Sequence, residues 1–153
     1  MTLEQLAYTG AAVASALLRS ALVAIALLAS AWLVLGFRAV ELEADADVVI
    51  GRVQRGNATA GDVRHGRDLL RRARLLSVDT APLLDEGLML FSYGRREEGL
   101  AITQEVVADE PENVVGWIAL HTLFSGKGDA KRAAETARRV RALNPLAGDA
   151  LER

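Results

Sequence analysis

Leu83–Pro111 reads LLDEGLMLFSYGRREEGLAITQEVVADEP, and Trp117–Pro145 reads WIALHTLFSGKGDAKRAAETARRVRALNP. At a shift of 34 residues the two stretches correspond class by class. Leu83 meets Trp117, Gly87 meets His121, Leu90 meets Phe124, Gly94 meets Gly128, Gly99 meets Ala133, Val106 meets Val140 and Pro111 meets Pro145. Large apolar residues meet large ones, and small residues mostly meet small ones. A fixed period of this size marks stacked supersecondary units, each too thin to bury its own apolar face. Gly94 and Gly128 suit turns that need a positive φ. Pro111 and Pro145 end one unit and begin the next. Each copy therefore predicts two antiparallel helices, over about 81–93 and 96–109 in the first and about 114–125 and 129–143 in the second. Gly87, Gly99 and Ala133 allow the helices to approach closely, and Trp117, Leu120 and Phe124 fill the space between them.

Working outward, a third and degenerate copy precedes these two. Ile50 and Val53 fall on its first helix, and Gly66, Leu70 and Ala73 have the spacing of its second, Asp62–Leu76. Its register slips by about one residue, and the Gly56–Gly61 connection is irregular. The period and residue classes resemble the tetratricopeptide repeat (TPR), best in Trp117, Leu120, Phe124, Gly128, Ala133 and Asn144-Pro145. The resemblance covers about two-thirds of the chain. It is specific over 81–145 and loose over 39–80.

The resemblance implies an all-α fold with a short solenoid of helical hairpins. In such folds the first helix of each unit lines a groove for a partner peptide or helix. Carried onto this chain, that groove is Leu84, Leu88, Phe91, Ile118 and Thr122. Where the family grips a peptide carboxylate with Lys and Asn, this chain has Leu84 and Leu88, so an amphipathic helix is the better-matched occupant. The alternative is that some of these Leu residues are core, or are covered by the first unit. Two departures from the family pattern predict loose local packing: His121 stands for a small residue, and Thr103 for a bulky one. Stacked repeats need about three units and polar ends. The chain offers about two and a half, and Leu146–Arg153 is too short for a full capping helix. The module is expected to lean on the membrane, a copy of itself or a partner.

The amino-terminal side reads differently. Ser20–Phe37, SALVAIALLASAWLVLGF, carries no charge. At about 1.5 Å per residue it just crosses a hydrocarbon core of about 30 Å. Arg19 and Arg38 flank it and can snorkel to headgroups, Trp32 and Phe37 suit an interface, and Ser20 and Ser30 can bond back to their own helix. The expectation is a transmembrane helix over 20–38. The rival is a cleaved leader, with Ala29-Ser30-Ala31 as its cleavage pattern and Ala21–Leu28 as its apolar region. Against it, Trp32–Leu35 continues the apolar run past that site. Residues 1–19 form a tail that lies on the membrane or extends the helix. The chain thus divides into 1–19, 20–38, 39–80, 81–145 and a tail at 146–153.

For orientation, Arg19 stands against Arg38, Arg52 and Arg55 on the carboxyl side, a count that favours a cytoplasmic carboxyl half. Arg52 and Arg55 belong to the folded domain, however, and a domain longer than about 60 residues translocates largely regardless of charge. The reading taken is a single-pass protein of the cytoplasmic membrane with its soluble domain outside the cytoplasm.

Chemistry-bearing residues are sparse. The formal net charge is -2 over 153 residues, and no basic field points to nucleic acid. There is no Cys, which excludes disulfides, thiolate metal sites and a Cys nucleophile. His65 and His121 lack ligand-spaced neighbours and read as a solvated and a packing residue. Asp45-Ala46-Asp47, within Glu41–Asp47, belongs to a solvated acidic stretch, and Asn57-Ala58-Thr59 matches a glycosylation acceptor of the kind that arises by chance. No catalytic residues, cofactor-binding residues or metal ligands are expected. Arg71, Arg72 and Arg74, and Arg138, Arg139 and Arg141, form basic clusters on second helices. These are solvated faces paired with nearby acids, or contacts for anionic lipid or glycan.

The function expected is that of a non-enzymatic, membrane-anchored interaction or assembly subunit of a bacterial membrane complex. Its expected partners are a membrane protein or peptide helix, the lipid bilayer and a second copy of itself. The alternative is an accessory role in envelope polysaccharide or glycan polymerisation or ligation.

Overall fold

The computed structural model describes the backbone of residues 3–77 and 79–151, and the side chains of 19–77, 79–148 and 151. Within these residues the chain is helical and has no strand. The helices are α1 (Leu3–Gln54), α2 (Ala60–Leu76), α3 (Ala81–Ser92), α4 (Arg96–Asp109), α5 (Val114–Lys127), α6 (Ala130–Leu143) and α7 (Pro145–Ala150). The chain divides into two compact units, Met1–Arg38 and Ala39–Arg153, and α1 contributes residues to both.

The first unit is the apolar part of α1. Among the described residues its large side chains are exposed: Trp32 is 73 % exposed, and Leu22, Ile25, Leu28 and Phe37 are exposed as well. Ser30 donates its hydroxyl to the Ala26 carbonyl at 2.8 Å, which removes its polarity from the surface. Among the described residues, one helix near the amino terminus is long and apolar enough to cross a membrane. The backbone is helical from Leu3, while Met1, Thr2 and the side chains up to Leu18 lie outside the described residues. The interfacial reading of 1–19 falls on those side chains.

In the second unit, residues 39–54 of α1 carry Ala46, Val49 and Val53 into a core shared with Val63, Leu69 and Leu70 of α2 and Met89 and Leu90 of α3. Gly66 makes this possible. A Cβ there would come within 2.9 Å of the Met89 sulfur and 3.0 Å of Val49. The remaining helices pack mainly on their neighbours: α2 on α3, α3 on α4, α4 on α5, α5 on α6 and α6 on α7, with α3 also beside α5. Leu100, Val107, Leu120, Leu123, Phe124 and Ala133 form a second core cluster, and Leu84, Val106 and Ala119 a third.

Local chemistry sets the helix ends. Thr59 and Asp62 form a capping box at the start of α2. Asn113, Asp129 and Asn144 each accept a bond from a first-turn amide of the helix they precede. Gly94 and Gly128 adopt φ of 101° and 80°, the conformation expected of them. The tail expected at 146–153 is in part a short helix, because Asn144 caps it and Pro145 supplies a ring-fixed φ.

The looseness expected at Thr103 is absent. Thr103 is fully buried and donates to the Gly99 carbonyl at 3.0 Å, and a Cβ on Gly87 would come 2.5 Å from its hydroxyl. The missing side chain of Gly87 makes room for it. At the equivalent place in the next hairpin, His121 fills the gap with its ring. Its Nδ1 lies 2.9 Å from the Ala133 carbonyl oxygen. A carbonyl only accepts, so Nδ1 carries the proton.

Candidate functional site

Two surfaces of the second unit could receive a partner. The first is the α3–α5 face anticipated from the repeat. Leu84 does not line it. With 3 % of its surface exposed, this side chain packs against Val106 and Ala119 and belongs to the core, because α4 and α5 close over it. Leu88 is half-buried and touches both neighbouring clusters. Phe91 is half-buried near Gly126, with the Arg96 guanidinium 5.7 Å from its ring centroid. Ile118 is half-buried and Thr122 is exposed, its hydroxyl donating to the Ile118 carbonyl at 3.0 Å. Four of the five residues thus retain some exposure, and Ile118 and Thr122 do least for the core.

The second surface is a cleft of about 570 Å³ between α4, α5 and α6. Val107, Leu120 and Phe124 are its buried floor, and Trp117 is half-buried beside them. The indole N–H of Trp117 and the Arg139 guanidinium both donate to the Pro111 carbonyl, each at 3.0 Å. Arg139 lies 5.8 Å from the Trp117 ring centroid, and Arg132 lies 5.4 Å from that of Phe124. These contacts hold both cations over apolar rings. Gln104 and Glu135 complete the polar rim, and the buried Thr136 lies beneath it with its hydroxyl donating to the Ala133 carbonyl.

Sequence reasoning assigned Trp117, Leu120 and Phe124 to interhelical filling and grouped Arg139 with Arg138 and Arg141. The repeat shift itself held a further signal. At the 34-residue spacing, Arg64, Glu98 and Arg132 are equivalent, as are Arg71, Glu105 and Arg139. The second helices therefore alternate basic, acidic, basic. Arg67 of α2 pairs with Glu86 of α3 at 2.6 Å and with Glu98 of α4 at 3.7 Å, which ties α2 to the hairpin that follows. Arg71, Arg72 and Arg74 are exposed on the same helix.

The acidic side of the unit is Asp85 with Asp47, Glu43 and Asp79. Burial, and then the charges of these three neighbours, push the Asp85 carboxyl up to about 6. Asp62, by contrast, is lowered by hydrogen bonds from the Thr59 side chain and backbone. His65 is exposed, as are Asp45 and Asp47. Among the described residues, no three His, Cys, Asp or Glu side chains are grouped to hold a metal ion.

No family model matches the chain, and neither does any curated protein or solved structure.

Proposed function

We propose that this chain is a membrane-anchored interaction subunit, in which a single-pass helix tethers a TPR-type module that binds another protein and catalyses nothing itself. The observation that carries the reading is the pairing of an apolar helix segment without protein cover with a domain of serial helical hairpins. Uncovered Leu, Ile and Trp side chains over residues 20–37 require an apolar solvent, and lipid provides one. The hairpin assignment draws support from the shared positive-φ glycines at Gly94 and Gly128 and from the close Gly87–Gly99 approach. The module then sits at the bacterial cytoplasmic membrane, with its soluble part outside the cytoplasm. The partner it suits is a membrane protein or peptide helix, and a second copy is the simplest such partner.

The test replaces Ile118 and Thr122 with Glu in the full chain, purified from its native membrane. The expected result is loss of a co-purifying protein with helical content and unfolding midpoint unchanged. An unchanged set of partners sinks the interaction reading of the α3–α5 face. Location is tested separately with Leu146→Cys, since Leu146 is 82 % exposed and the chain has no other thiol. Labelling of intact cells by a membrane-impermeant maleimide is expected, and labelling only after lysis would reverse the orientation.

A second reading, an accessory of envelope glycan polymerisation or ligation, has the exposed Arg71, Arg72 and Arg74 in its favour. Retention of a polyanionic glycan by the purified chain, lost when these three become Gln, is its test.

A further inference from the structure

The cleft between α4 and α6 has an unbalanced rim. On the α4 side it offers Gln104, Val107 and Ala108, with no charge. On the α6 side it offers Arg132, Glu135, Thr136 and Arg139, a net charge of about +1. The rest of α6 adds Lys131, Arg138 and Arg141 and no further acid. In the groove one repeat earlier, Arg67 of α2 meets carboxylates from both α3 and α4. Here none of the lining residues from α4 or α5 is a carboxylate; Glu135 lines the cleft from α6 itself, and Asp129, just before α6, pairs with Arg132.

We propose that this cleft receives an acidic amphipathic helix of a partner protein, with an apolar side chain set over Trp117, Leu120 and Phe124 and its carboxylates on Arg132 and Arg139. The two arginines are seven residues apart on one helix, so they stand about 10 Å apart along its axis. Carboxylates two turns apart on an occupant helix have the same spacing. A guanidinium has five N–H donors and takes a carboxylate bidentately. Arg139 commits one donor to Pro111 and Arg132 pairs with Asp129 at 3.4 Å, so both keep donors for a further acid. Stacking on Trp117 and Phe124 orders these side chains before binding, which lowers the entropic cost of association. Gln104, exposed on α4, supplies a polar group for the occupant's flank. The open shape favours a helix laid along the trough over a single acyl chain, which needs enclosure.

The proposal rests on the reading of the chain as an interaction module but uses a different face, so the two can fail separately. The experiment uses the full chain with Trp32→Phe in detergent micelles, which leaves Trp117 as its sole tryptophan. The probes are synthetic amphipathic peptides with Glu at positions i and i+7 around Leu, Phe or Met, together with versions in which Lys replaces Glu. A saturable change in Trp117 emission is expected with at least one acidic peptide and with none of the Lys versions. Affinity is expected to fall at least about tenfold in Arg132→Gln/Arg139→Gln. Circular dichroism and the unfolding midpoint of that variant check that it folds, and Arg132→Lys/Arg139→Lys keeps the charge if the Gln pair does not. No saturable response, equal binding of Lys peptides, or binding indifferent to the arginines overturns the proposal. So does a response to phosphatidylglycerol vesicles alone, which would assign the cleft to lipid. If Ile118→Glu/Thr122→Glu releases the native partner while Trp117 stays silent, the module reading stands and the cleft assignment falls.

Discussion

Gly87 and Gly99 face each other across the α3–α4 hairpin so closely that the carbonyl oxygen of each lies in the path of a Cβ on the other. A Cβ on Gly87 would come 3.0 Å from the Gly99 oxygen, and one on Gly99 would also come 2.9 Å from the Phe91 nitrogen. The obstacles are backbone atoms, which cannot rotate away as a flexible side chain can. Gly99→Ala should therefore separate the helices and destabilise the unit by about 1–3 kcal/mol, despite a gain in helix propensity of up to about 1 kcal/mol. Denaturant unfolding would show this. A midpoint equal to or above the parent's would mean that the contact is not tight.

The next hairpin closes over a ring instead. His121→Ala removes the bond to the Ala133 carbonyl and leaves a space beside Thr136. A loss of about 1–2 kcal/mol is expected. His121→Gly, which imitates Gly87 at the same repeat position, should not rescue it, because α5 and α6 are spaced for the ring. Recovery of the midpoint in the Gly variant would show that the hairpins are interchangeable.

Asp85 gives the second unit a dependence on pH. Its carboxyl titrates near 6 in the fold, against an ordinary value of 3.8. A folded value above the unfolded one stabilises fully below the unfolded pKa, and the contribution is lost as pH rises through about 6. Stability should therefore increase between pH 7 and pH 5, by on the order of 1 kcal/mol once solvent screening of this half-buried group is allowed for. Asp85→Asn should flatten that part of the profile and raise the midpoint at pH 7. Equal pH slopes in parent and variant would show that Asp85 is not the group responsible.

Thr59 and Asp62 test the start of α2. Thr59→Ala should cost about 1 kcal/mol through the lost cap. It should also let the Asp62 carboxyl rise back toward its ordinary value, since Thr59 supplies the two largest lowering contributions. A carboxyl held low contributes stability above its unfolded pKa and loses it as pH falls through the folded value. The Asp62 titration followed by NMR reads this directly. A curve unmoved by Thr59→Ala would mean that the capping box does not hold the carboxylate in solution.

Much of the fold is legible in the residues because the deciding terms are local. Gly94 and Gly128 sit at positive φ, and Pro145 opens a helix, for reasons that need no distant contact. The uncharged run Ser20–Phe37 announces a helix with an apolar surface all round. The Thr59–Asp62 capping box is equally local, a threonine followed three residues later by an acid.

By itself, then, the sequence determined an all-helical chain, the ends of most helices and one apolar helix near the amino terminus. These depend on φ preferences, on hydrogen bonds within one turn and on periodicity. Only the tertiary structure decided which apolar residues of a repeat are spare. Leu84 and Leu88 are one helical turn apart and alike in chemistry, yet one is core and the other half-exposed, because the approach of α4 and α5 sets their burial. The cleft over Trp117 and Phe124 is of the same kind. The 34-residue shift states which residues of α4 and α6 are equivalent but not how far apart the helices stand. That distance is a balance of side-chain volumes across the interface, and it exists only once the helices pack.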